Sequence, residues 1–107
     1  MRRLMVVDDE AVIAMQLEDH LQSMKYDVVG TASSAEESVS MARVLRPDLI
    51  LMDIVMQGKF DGIDAAKIIK TDMDIPIIFL TAYADDKYIN RAIQADPFGY
   101  IVKPFRE

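Results

Sequence analysis

The stretch that decides the fold is LILMD, residues 49–53, in which four consecutive apolar residues lead to one carboxylate, that of Asp53. Uninterrupted apolarity is typical of a central strand in a parallel sheet that is covered on both faces, whereas a strand with one face in water alternates. A carboxylate at the end of such a strand adds nothing to the core. We therefore expect Asp53 to carry the chemistry of this protein.

Three further apolar runs end in polar residues in the same way. They are LMVV (4–7) before Asp8-Asp9-Glu10, IIFL (77–80) before Thr81, and YIV (100–102) before Lys103. The carboxyl ends of neighbouring parallel strands meet at one edge of the sheet, where α/β sheets bind their ligands. The polar groups that follow these runs are therefore predicted to converge around Asp53.

The segments between the runs space their apolar residues at three- and four-residue steps, which predicts helices. The predicted strands are 4–7, 27–32, 49–52, 75–80 and 99–102. The predicted helices are about 10–24, a second that starts after Ser33-Ser34 and is closed by Pro47, a third that starts near Ile63 and ends at 72–74, and a fourth over 85–95. Alternating strands and helices imply an α/β, doubly wound parallel sheet of five strands. The sequence stops soon after the last strand. We expect a missing fifth helix, and hence either a fragment of a longer protein or a homodimer that covers the exposed face.

Composition limits the possible functions. A chain of 107 residues with 51% apolar and 28% charged residues predicts one globular domain, residues 1–107. The sequence has no cysteine and no apolar run near the roughly 20 residues of a membrane span. We expect a cytoplasmic protein without a membrane partner. The net charge of −6 argues against direct nucleic-acid binding and favours a cation or a basic partner.

Four motifs, taken together, resemble the receiver domain of two-component response regulators. They are VVDDE (6–10), LMDIVM (51–56) with Asp61-Gly62, LTA (80–82) and YIVKPF (100–105). The resemblance covers the whole chain apart from the missing last helix. It implies the flavodoxin-like fold with strand order 2-1-3-4-5.

The resemblance also implies a signalling role for Asp53. This residue would accept a phosphoryl group from a sensor histidine kinase or a phosphotransfer protein, and the domain would then switch conformation rather than act as an enzyme on a separate substrate. Mg²⁺ would be the cofactor. Asp9, Asp53 and the backbone carbonyl of Val55 would be its direct ligands, and Asp8 would act mostly through water.

Three residues further along the chain complete the implied site. Thr81 would hydrogen-bond the phosphoryl oxygens, Lys103 would pair with them, and Tyr100 would change rotamer on activation. The output would pass to a downstream effector domain or protein, which the sequence does not identify.

Two departures from the usual receiver pattern affect the predictions. The loop 54–62 lacks the proline that usually follows the methionine and has one residue more before Asp61-Gly62. We expect a looser loop and a changed contact with the kinase. Val55 and Tyr83 occupy positions that tune hydrolysis in this family, and their bulk and lack of a base predict a long-lived phosphoryl state.

Other functions were weighed against the receiver hypothesis. A phosphatase with an aspartate nucleophile requires a second acid two residues later, where this chain has Val55. A flavin carrier requires a phosphate-binding loop after the first strand, where Asp8-Asp9-Glu10 repels phosphate. A receiver-like interaction module that is not phosphorylated remains the alternative. His20 is interpreted as a surface residue, and most of the methionines, including Met15 and Met24, as core filling.

Overall fold

The computed structural model describes residues 2–56, 60–81, 90, 91, 93 and 99–102. Its strands are β1 (Arg3–Val7), β2 (Asp27–Ala32), β3 (Leu49–Asp53), β4 (Ile77–Thr81) and β5 (Gly99–Val102), and its helices are α1 (Ala11–Ser23), α2 (Ala35–Leu45) and α3 (Gly62–Met73). Within the predicted helix 85–95, residues 90, 91 and 93 are helical. The rest of that prediction lies outside the described residues.

The five strands form one parallel sheet in the order β2-β1-β3-β4-β5. This confirms the predicted doubly wound sheet and its strand order. β5 is the last element that the structure describes, and residues 103–107 after it lie outside the described part.

Successive residues of β1, β3 and β4 face opposite sides of the sheet and contribute to two hydrophobic clusters. Met5, Ile50 and Phe79 are fully buried on the side of α2 and α3. Leu4 and Leu51 pack on the other side, towards α1. Each large side chain that is fully buried contributes about 1.5–3 kcal/mol of transfer free energy, so the apolar runs alone account for much of the stability. The predicted central position of β3 is confirmed.

The side of the sheet that carries α1 also has an open groove of about 630 Å³. Its apolar lining includes Leu4, Leu17, Leu21, Leu49, Leu51 and Ile78. His20, interpreted as a surface residue, is half-buried at the groove. Because its lining is mostly apolar, this groove is a packing surface rather than a site of phosphate or metal chemistry.

The helix boundaries follow the sequence closely. The side chain of Ser34 accepts a hydrogen bond of 3.1 Å from the amide of Glu37, which confirms the predicted start of α2. The core prediction was wrong for Met15 and Met24, which are 64% and 51% exposed. Both lie on α1, where the buried positions are Ala14, Leu17 and Leu21. Among the described residues, no helix is both long and apolar enough to cross a bilayer.

Candidate functional site

The strand register brings three of the predicted polar positions to one edge of the sheet. Val7 pairs with Met52, so Asp8 and Asp53 follow in line on adjacent strands. Neighbouring strands lie about 4.8 Å apart. Asp53 in turn pairs with Leu80, which places Thr81 one residue further along the next strand. The predicted convergence at the carboxyl edge is therefore present in the backbone.

Asp8 lies at the turn between β1 and α1 and is only 1% exposed. Its amide donates to the carbonyl of Ala32 on the edge strand at 3.0 Å. Its carboxylate Oδ1 accepts a 2.9 Å hydrogen bond from the amide of Glu10, the residue before α1. These two bonds fix both the main chain and one carboxylate oxygen, so the orientation of Asp8 is set by the turn itself.

Asp8, Asp9 and Glu10 form an acidic group beside this turn. One ligand atom from each of the three residues lies within 4.8 Å of the others, and Asp9 and Glu10 are exposed while Asp8 is buried. Oxygen ligands with two carboxylates facing an open side suit a hard cation such as Mg²⁺, which keeps several waters. The group contains Asp8 and Asp9 of the predicted ligands together with Glu10, which was not among the predicted ligands, and it does not contain Asp53. Its oxygen donors are of the kind that Mg²⁺ prefers.

Asp53 is the last residue of β3 and is 4% exposed. The chain after it is held on two sides. The amide of Ile54 donates to the carbonyl of Leu80 at 3.0 Å, and the amide of Gly62 donates to the carbonyl of Ile54 at 3.0 Å. The loop that follows Asp53 is thus closed by a hydrogen bond at its base.

Gly62 is required at the end of this loop. A Cβ atom added to it would lie 1.9 Å from the carbonyl oxygen of Asp53 and 2.9 Å from its carbonyl carbon. Both are main-chain atoms that cannot rotate away, so only glycine allows α3 to begin this close to Asp53. The Asp61-Gly62 dipeptide quoted in the sequence motif therefore has a steric reason.

The first turn of α3 has its own set of hydrogen bonds. Asp61 caps the helix by accepting from the amides of Ile63 and Asp64 at 3.0 and 3.1 Å, and Asp64 accepts from the amide of Asp61 at 3.0 Å. This is a reciprocal capping box. Arg91 lies against it, with Nη1 2.9 Å from Oδ2 of Asp61. The spacing of Asp61 and Asp64 could have predicted the cap, but no local signal marks Arg91 as its partner.

The remaining predicted residues are placed only in part. Val55 is 37% exposed just after Asp53. Thr81 ends β4, and Tyr100 pairs with Phe79 within β5. The side chains of Thr81 and Tyr100, and the whole of Lys103 and Tyr83, lie outside the described part of the structure, as do residues 57–59 of the loop.

A shallow cleft of about 410 Å³ adjoins the acidic group. It is lined by Asp9, Ser33, Ser34 and Met56. The cleft connects the acidic end of β1 with the chain after Asp53. It gives a small anionic group room to approach this edge of the sheet.

Comparison with known proteins gives one consistent family. Residues 4–107 match the sequence profile of the response regulator receiver domain. Over 104 residues, the chain is 40% identical to the transcriptional regulatory protein PdtaR of Mycobacterium tuberculosis, which covers 97% of this chain and 50% of that protein. It is 38% identical over 106 residues to the chemotaxis protein CheY of Thermotoga maritima, covering 98% of this chain and 88% of that one.

Solved structures agree with this result. The signal receiver domain of a modulated diguanylate cyclase from Desulfovibrio desulfuricans superposes with a TM-score of 0.93 at 37% identity, covering 99% of this chain and 84% of that one. The response regulator domain of Thermotoga maritima CheB gives a TM-score of 0.89 at 33% identity, covering 97% and 79%. The chain thus spans half of the curated relative PdtaR and most of these receiver structures.

Proposed function

The chain belongs to the family of response regulator receiver domains, and on that premise we propose that Asp53 is its phosphorylation site. The observation that carries this proposal is the position of Asp53. It is a nearly buried carboxylate at the end of the central strand, beside the buried carboxylate of Asp8 and next to an open acidic group. Burying two carboxylates on adjacent strands costs desolvation free energy that an apolar pair would not cost, so this arrangement favours a functional role.

The reaction that fits this position is phosphoryl transfer to a carboxylate. A carboxylate oxygen of Asp53 attacks the phosphorus of a phosphohistidine, the new O–P bond forms, and the P–N bond breaks as the imidazole leaves. The donor is a sensor histidine kinase or a phosphotransfer protein. The strand and the main-chain hydrogen bonds of Ile54 fix the backbone that carries Asp53.

Mg²⁺ is the cofactor that this set of ligands would hold. Asp9, Asp53 and the carbonyl of Val55 would be its direct oxygen ligands, Asp8 would act mostly through water, and the cation would supply positive charge beside the transferring group. The turn at Asp8 already orients that carboxylate through the hydrogen bond from the amide of Glu10. Preorganised charge of this kind is a main source of rate in phosphoryl transfer.

The other family roles map to single residues. Thr81 hydrogen-bonds the phosphoryl oxygens, Lys103 pairs with them, and Tyr100 is the aromatic residue that changes position in the switch. Val55 and Tyr83 restrict attack by water, so the phosphoryl group on Asp53 is long-lived. We place the domain in the cytoplasm, as a single unit whose output passes to an effector domain or protein.

The proposal is tested by chemical phosphorylation. The wild type is incubated with acetyl phosphate, with and without Mg²⁺, and its intact mass is measured. We expect a gain of one phosphoryl group that requires Mg²⁺ and is lost in Asp53→Asn. The matched control is Asp48→Asn, which changes the same functional group at the opposite edge of the sheet and should be phosphorylated like the wild type.

Two outcomes would contradict the proposal in different ways. If Asp53→Asn gains the same mass as the wild type, the phosphorylated residue is another one. If the wild type gains no mass and Mg²⁺ does not raise its melting temperature, the domain is an interaction module that phosphorylation does not regulate.

A further inference from the structure

Arg91 connects the helical segment after β4 to the first turn of α3. Its Nη1 lies 2.9 Å from Oδ2 of Asp61, and its Nη2 lies 3.4 Å from Oδ1 of Asp61 and 3.4 Å from Oδ1 of Asp64. The guanidinium therefore spans both oxygens of the helix cap and reaches the second acid of the capping box. This fork geometry is specific to arginine, since a lysine ammonium makes a single point contact.

The two acids need a positive neighbour. Asp61 and Asp64 each use a carboxylate oxygen to hold the backbone of the first turn. Two carboxylates this close repel one another unless a cation lies between them. The side chain of Asp61 is only 14% exposed and that of Arg91 33%, so solvent screens this pair less than an ordinary surface pair.

The first turn of α3 is also in direct contact with the proposed phosphorylation site. Gly62 follows Asp61, touches the carbonyl of Asp53, and donates to the carbonyl of Ile54. A displacement of this turn therefore moves the main chain directly after Asp53, including the carbonyl of Val55. Arg91 therefore reaches Asp53 through two steps: its ion pair with the cap residue Asp61, and the close packing of the adjacent Gly62 on the carbonyl of Asp53.

α3 carries a second ion pair at its other end, which shows what a merely structural pair looks like. Arg43 of α2 reaches Asp72 at 3.0 Å, and both side chains are about half exposed, at 52% and 42%. That pair has a similar length and the same residue types, but Asp72 lies eleven residues after the cap residue Asp61 along α3.

We propose that Arg91 is a positioning residue of the phosphoacceptor site, which fixes the first turn of α3 and through it the main chain that follows Asp53. The proposal rests on the proposed function, because it assigns Arg91 an effect on Mg²⁺ binding at that site.

The affinity for Mg²⁺ distinguishes a positioning role of Arg91 from two other effects of Arg91→Ala, the loss of a positive charge and a loss of stability. Loss of a positive charge near a cation site strengthens cation binding if only Coulomb attraction matters. A purely structural loss lowers the melting temperature but leaves the folded site unchanged. A positioning effect instead weakens Mg²⁺ binding in a protein that is still folded.

The experiment is calorimetric titration with Mg²⁺ at 15 °C in 0.15 M KCl, where the Debye length of about 8 Å limits long-range effects. The proteins are the wild type, Arg91→Ala, Arg91→Lys and the matched control Arg43→Ala. Removal of a residue that orients a direct ligand typically weakens metal binding by about 10–100-fold. Arg91 acts one step further out, so we expect about 3–10-fold weaker binding in Arg91→Ala.

The two remaining variants complete the test. We expect Arg91→Lys to recover part of the affinity and Arg43→Ala to bind like the wild type. Far-ultraviolet circular dichroism at the same temperature checks that every variant is folded. If Arg91→Ala were unfolded, Arg91→Lys would be compared with the wild type, because lysine keeps the positive charge and loses only the forked contact. Weaker Mg²⁺ binding in Arg91→Lys would support the positioning role, and equal binding would contradict it.

The failures of the two proposals look different. Wild type that binds no Mg²⁺ and gains no phosphoryl group would overturn the proposed function and this inference with it. Wild type that does both, beside an Arg91→Ala variant with equal or tighter Mg²⁺ binding, would overturn the role of Arg91 alone. An equal loss in Arg43→Ala would show that any ion pair of α3 has this effect, which also contradicts the inference.

Discussion

The two edges of the sheet treat their aspartates in opposite ways. At the amino edge, Asp48 is exposed and its Oδ2 accepts a 2.8 Å hydrogen bond from the amide of Arg3. Its own amide donates to the carbonyl of Arg3 at 2.7 Å, so it closes the end of the ladder between β1 and β3. At the carboxyl edge, Asp8 and Asp53 are 1% and 4% exposed.

The difference separates a carboxylate that serves the fold from two carboxylates to which the proposed function assigns a role. Asp48 stays hydrated while it satisfies a backbone donor, so it stabilises the edge at little cost. Asp8 and Asp53 are withdrawn from water on adjacent strands, which carries a desolvation cost that their polar partners or a bound cation must offset. Acids buried together at the edge of a sheet are a reason to suspect a site.

The largest expected effect on stability comes from adding a side chain at Gly62, where the main chain of Asp53 leaves no room for one. Gly62→Ala should lower the free energy of unfolding by about 3 kcal/mol or more, because its Cβ would meet main-chain atoms of Asp53. Urea denaturation measures the change. The control is Gly99→Ala in β5, where an added Cβ meets nothing within 4 Å. Similar losses in both variants would mean that the contact with Asp53 is not the cause.

A middle-sized effect should follow from neutralising one buried acid. Asp8→Asn removes one negative charge beside the proposed metal site, which lowers both the attraction for Mg²⁺ and the repulsion of neighbouring carboxylates, while the amide oxygen can still accept a hydrogen bond from the amide of Glu10. We expect Mg²⁺ binding at least tenfold weaker, and a metal-free protein that is more stable by about 1 kcal/mol. Thermal melting with and without Mg²⁺ measures both. Lower stability without Mg²⁺ would show that Asp8 serves the fold, as Asp48 does.

The smallest effect belongs to the amino edge. Asp48→Asn keeps an acceptor for the amide of Arg3 at a solvated position, so stability should change by no more than about 0.5 kcal/mol. Mg²⁺ affinity should equal that of the wild type. The same melts test it beside Asp8→Asn. A change in Mg²⁺ affinity would mean that Asp48 and the carboxyl edge are electrostatically coupled, which would contradict the claim that Asp48 serves the fold alone.

Local patterns in the sequence predicted most of this arrangement. The unbroken run before Asp53 indicated a central parallel strand, and the position of Asp8 after an equivalent run placed the two acids on adjacent strands. These predictions succeeded because strand burial and strand-end position depend on neighbours in sequence. The helix start at Ser34 followed from its capping chemistry in the same way.

What sequence patterns missed depends on contacts between distant segments. Arg91 is 30 residues from Asp61, and nothing near either residue indicates that they meet. The steric demand at Gly62 arises from how closely α3 approaches β3, which spacing does not reveal. Met15 and Met24 were misjudged because an apolar residue on a helix can lie beside the buried stripe instead of within it.

The hydrogen bond between Ile54 and Gly62 determines how freely the length of the loop between them can vary. It makes the seven residues 55–61 a loop whose two ends are fixed together at 3.0 Å. Closing a loop that is one residue longer costs only about 0.1 kcal/mol, since the entropy grows with the logarithm of length. The length of this loop can therefore change at little entropic cost as long as the hydrogen bond between Ile54 and Gly62 keeps its two ends in place, and an engineer could insert a recognition peptide there for the same reason.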